Sequence, residues 1–207
     1  NYESQMSKSL NFGVYSADLS YCVLNGQNQN SLNYLTNVKK LSDDLGLSSI
    51  FNSEDLFSSF EKNLDNQDSL LYVISSLQER LDGHLQENEM DHQSSIYFAS
   101  GWTEAMYIAT KSIDNVEEER TSNNLVEQTL ILDVIVRSLE AHPDKENELL
   151  ANLLIDFKEL KNLADNFNYI KGREIDDIPL EEIGITNDEF KQLSKKVEQL
   201  RTKIINS

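Results

Sequence analysis

Proline, glycine and cysteine are all scarce in this 207-residue chain, and each scarcity excludes something. Two prolines and seven glycines are too few to turn the many short strands of an all-β architecture, but they leave long helices undisturbed. The single cysteine, Cys22, rules out an internal disulfide and a cysteine-based zinc site. Set among Tyr21, Val23 and Leu24, it is expected to pack as a small hydrophobe. A catalytic thiol would want a histidine nearby, and the first is His84. No apolar run approaches the roughly 18 residues of a membrane span. No P-loop, G-x-G-x-x-G, G-x-S-x-G, H-E-x-x-H or EF-hand pattern occurs, so no cofactor is implied and an enzyme is not the favoured reading. Basic residues are outnumbered 18 to 36, a formal net charge of −18. Such a surface repels phosphate backbones and anionic lipid, which argues against a nucleic-acid partner.

What the chain has instead is helical periodicity. Leu10, Val14, Ala17, Tyr21 and Leu24 advance by steps of four and three, the stripe of an amphipathic helix. A second helix follows Ser31 with Leu32, Leu35, Val38, Leu41 and Leu45 inward, and Gly46 is placed to cap it. Asn52-Ser53-Glu54-Asp55 opens a third, which buries Leu56, Phe57, Phe60 and Leu64. The fourth carries Leu70, Val73, Ile74, Leu77, Leu81 and Leu85, and residues 86–93 form a polar connection. The fifth, about residues 94–113, and the sixth, about 124–141, are apolar almost all round and are expected at the centre of a bundle. Pro143 and the acidic run after it start a long seventh helix reaching Phe167.

The expected fold is therefore all-α, an irregular antiparallel bundle of about seven helices plus a C-terminal amphipathic helix. Residues 1–169 read as the bundle domain, and 170–185, with Gly172, Pro179, Gly184 and clustered acids, as a linker. Residues 186–207 then form the last helix. Thr186 and Glu189 spell a capping box, and Phe190, Leu193, Val197, Leu200 and Ile204 follow at a/d spacing. With under three heptads, docking onto its own bundle is favoured over a coiled coil. The helix starts drift without a fixed period, which argues against a solenoid.

A few polar residues resist this pattern. Glu104 stands in the most apolar helix, close on the helical wheel to Gly101, where another backbone or a ligand can approach. Asp18 and Asp133 pose the same question in the first and sixth helices. Pairing with tyrosine hydroxyls, Lys111 or Arg137 is the structural answer. The functional one is a binding face made of Tyr15, Asp18, Trp102, Glu104 and Tyr107, in a groove to which Tyr21, Tyr34 and Tyr97 also contribute. Glu89 and His92 have the E-x-x-H spacing of di-iron bundles, but a single such pair in a polar connection makes no metal site.

Gly13-Val14-Tyr15-Ser16-Ala17-Asp18-Leu19-Ser20-Tyr21 resembles the opening of a family of uncharacterised Bacteroidetes cell-envelope lipoproteins. Leu32 to Leu35, Val38 to Leu41, Asp44-Leu45-Gly46, Phe60 to Leu70 and Gly101 to Ala109 continue the resemblance, which spans roughly residues 10–165. It implies an exported protein held at the envelope by a lipid on an upstream cysteine. Asn1, with no apolar leader after it, fits a mature form from which a targeting signal has been removed. The family implies no catalytic residues. The expected function is a binding or interaction module for a protein, peptide or glycan, the alternatives being a purely structural scaffold and a carboxylate-based periplasmic enzyme.

Overall fold

The computed structural model describes residues 2–51, 54–174, 177–179 and 182–207. Among them the regular structure is helix throughout, with no strand, so the chain is all-α. In order the helices are α1 (Gln5–Leu24), α2 (Asn28–Asp44), α3 (Ser48–Phe51), α4 (Glu54–Lys62), α5 (Gln67–Glu87), α6 (Asp91–Ser112), α7 (Glu119–Leu130), α8 (Leu132–Glu140), α9 (Glu148–Asp165) and α10 (Asn187–Ile205). They gather into two compact units, Asn1–Ala105 and Met106–Asn206. The division falls inside α6, so residues 106–169 group with the C-terminal helix and not with residues 1–105.

In the first unit α1 and α2 form an antiparallel hairpin. The Ser4 side chain caps α1 by accepting the Ser7 N–H at 3.0 Å. Gly26 (φ +63°) makes the turn, and Gly46 (φ +78°) lies just past the end of α2, a backbone region glycine enters without penalty. Lys8 and Asp44 close the open end of the hairpin at 3.4 Å. Phe12 lies at the middle of the core, edge-on to Phe51 with centroids 6.0 Å apart and 4.9 Å from the Tyr97 ring. Leu35, Leu47, Phe60, Leu70 and Leu85 are buried in the same cluster. The four-residue α3, too short to show periodicity, brings Ile50 and Phe51 into it. The expected start of the third helix at Asn52 and Ser53 lies outside the described residues, as do the side chains of Glu54, Asp55 and Phe57. The connection expected over residues 86–93 is shorter, since α5 runs to Glu87, Glu89 turns at φ +58° and α6 begins at Asp91.

In the second unit the single helix expected over 124–141 is two, interrupted at Ile131. Ile131 keeps helical angles (φ −67°, ψ −22°) and its carbonyl still accepts the Ile135 N–H at 3.1 Å, so the break is a local lapse in hydrogen bonding. Neither this pair nor α6 is buried all round. Val134 and Phe98 are each 51% exposed, Leu130 one turn before Val134 is exposed as well, and apolar side chains at the surface are ordinary in a folded protein. Asn147 caps α9 by accepting the Leu149 and Leu150 N–H groups at 3.1 and 3.4 Å. Within the segment expected as a linker, Ile175, Asp176, Leu180 and Glu181 lie outside the described residues. Ile178 and Ile185 are buried, and the Ile185 N–H donates to Ser122 Oγ at 2.7 Å.

Helix α10 lies antiparallel to α9. Lys196 meets Glu159 and Lys203 meets Asp156, both at 2.6 Å. Ion pairs this open to solvent contribute little to stability. The seam of Leu193, Val197, Leu200 and Ile204, all buried, supplies the larger share at about 1.5–3 kcal/mol per side chain as an upper bound. Phe190, the first residue of the expected stripe, is only half-buried.

Candidate functional site

The polar residues that periodicity leaves unexplained in the first unit converge on Tyr34. A Cβ built on Gly13 would overlap Ser100 Oγ and the Tyr97 carbonyl oxygen, and would lie 3.1 Å from Gly101 N. Helices α1 and α6 therefore cross with their backbones in contact at Gly13 and Gly101. Ser9 Oγ donates to Gln93 Oε1 at 3.4 Å on one side of the crossing, so the two helices run in the same sense. Asp18 and Glu104 each lie about one turn beyond it. The hydroxyls around this crossing are satisfied locally. Ser100 donates to the Ile96 carbonyl at 2.8 Å and Thr103 to that of Ala99 at 2.8 Å, so small polar residues pack there without orphaned donors.

Tyr34, on α2, is half-buried and donates its hydroxyl to the Asp18 carboxylate. Burial, then the negative potentials of Asp18, Cys22 and Glu104 and this bond, push the phenol up to about 12. Two carboxylates and the thiol thus act on one hydroxyl. Asp18 is half-buried, whereas Glu104 is 1% exposed. Cys22 is buried and free, and burial followed by the Asp18 charge raises its thiol pKa, which suits a packing role over a nucleophilic one. Tyr15 completes the group, its ring centroid 6.0 Å from that of Tyr34 and its hydroxyl 3.1 Å from that of Tyr2.

Of the five residues proposed for a binding face, Tyr15, Asp18 and Glu104 share this region. Trp102 is buried and sits two positions from Glu104, on roughly the opposite side of α6. Tyr107 belongs to the second unit, where the Arg201 guanidinium lies 4.3 Å and Lys111 Nζ 5.4 Å from its ring centre. Asp133 is answered by Arg137 at 2.5 Å and Lys161 at 3.9 Å, a structural pairing on a half-exposed face. Among the described residues no three His, Cys, Asp or Glu side chains converge as a metal set. Tyr34 is the member that sequence reasoning offered only as one groove aromatic among several. The hairpin register would have found it. Lys8 faces Asp44, positions that sum to 52, and Asp18 and Tyr34 sum to the same value.

Tyr97, raised to about 12 mainly by burial, joins Tyr34 in resisting ionisation. In the unfolded chain both phenols titrate near pH 10. The folded state then holds protons that the unfolded state has lost, so stability is full below about pH 10 and declines as pH rises toward 12. Phenolate absorbance should accordingly develop late in the native protein and early in denaturant, with Tyr34→Phe and Tyr97→Phe each removing part of the late fraction. Normal titration of all eight tyrosines in the native state would contradict the assignment.

Comparison of the chain with known protein families, characterised proteins and solved structures finds no match to any of them.

Proposed function

We propose that this protein is a helical binding or interaction module of the cell envelope, and that its first unit holds the binding face. The observation that carries this reading is the half-exposed Asp18–Tyr34 pair. It is a carboxylate and a phenol hydrogen-bonded to each other, with the Tyr15 ring alongside and the buried Glu104 side chain acting electrostatically on the same phenol. Such a face offers acceptors, a donor and aromatic surface to a peptide or glycan. Attachment to a membrane through a lipid on an upstream cysteine rests on the resemblance alone. No described helix is long and apolar enough to cross a membrane. Paired-carboxylate catalysis is the weaker reading, because a Glu104 that is 1% exposed is poorly placed to touch a substrate.

A scaffold without a ligand is the second reading, favoured by the way Arg137 and Lys161 answer Asp133. Thermal-shift measurements with peptides, glycans and divalent metals at saturating concentration separate the two. At about 100 times its Kd, a ligand adds about 2.7 kcal/mol, a rise of several degrees in Tm. The binding reading expects such a shift with at least one class, lost in Asp18→Asn while the unliganded Tm holds. No shift with any class leaves the scaffold. Glu104→Ala is expected to lower stability by about 1–3 kcal/mol with or without ligand, since Glu104 is buried and the interaction its side chain makes is lost.

A further inference from the structure

We draw no further inference here: the strongest candidate, the open cleft of about 670 Å³ along α9 and α10, is lined by charges such as Lys196, Glu159, Lys203 and Asp156 that answer one another, and nothing in the structure shows what would occupy it.

Discussion

Gly13→Ala should destabilise the first unit by about 1–2 kcal/mol, although alanine is the better helix former by about 1 kcal/mol. Position 13 lies in mid-helix, where the substitution would ordinarily help. The new methyl, however, would overlap the Tyr97 carbonyl oxygen and Ser100 Oγ of α6. A hydroxyl can rotate away, but a helical carbonyl moves only if its helix moves. Accommodating the methyl therefore pushes α1 and α6 apart and loosens the packing of Phe12 on Tyr97. Gly83→Ala in α5 is the control. Nothing lies within 4 Å of a Cβ there, so the same change should stabilise by about 0.5–1 kcal/mol. Gly101→Ala falls between them, its methyl 3.3 Å from the Gly13 carbonyl oxygen. Urea unfolding followed by far-ultraviolet circular dichroism reads all three. Equal stabilisation by Gly13→Ala and Gly83→Ala would show that the two helices do not touch at Gly13.

That crossing also marks the limit of what the sequence makes legible. Periodicity finds the long helices because each has one buried stripe, and residues such as Leu35, Val38 and Leu41 declare it. Gly46 and the Thr186–Glu189 pair announce helix ends because their chemistry acts within a few residues. What stays hidden depends on residues far apart in the chain. Gly101 is readable as a point of close approach, but Gly13 as its partner is not, since nothing local pairs α1 with α6. Asp18 and Glu104 stand out as polar residues in apolar helices, and their shared relation to Tyr34 depends on how three helices meet. The interruption at Ile131 escapes notice for a different reason: the apolar pattern runs through it unbroken, and only the hydrogen bonding lapses. The grouping of residues 106–169 with α10 is likewise a property of long-range packing. The composition change at 170–185 suggests a boundary, but buried Ile178 and Ile185 tie that segment down.

Glu189→Ala should cost the second unit about 2–4 kcal/mol, more than the roughly 1 kcal/mol usual for losing a helix cap. Glu189 does more than close the capping box. Its Oε2 accepts from the Thr186 N–H at 2.8 Å and from Thr186 Oγ1 at 2.7 Å, while Oε1 accepts the Asn168 N–H at 2.6 Å. One carboxylate thus joins the start of α10 to the chain just beyond α9, across a separation of 21 residues. Glu189 is buried whereas Asn168 and Thr186 are exposed residues, so water can take over part of what the carboxylate accepted, and the cost comes mainly from losing hydrogen bonds to a charged group. The negative charge at the first turn of α10 is also lost, which removes a favourable interaction with the helix dipole. Glu189→Gln keeps one carbonyl acceptor and should recover part of the stability, whereas Thr186→Ala should cost only the ordinary cap. Amide hydrogen exchange gives the local reading, with faster exchange expected at Asn168 and Thr186 in Glu189→Ala. In Thr186→Ala, Asn168 should stay protected, because its acceptor remains. A loss of protection at Asn168 equal in the two variants would mean that Glu189 acts only as part of the cap, and that α10 is joined to α9 by its apolar seam and ion pairs alone.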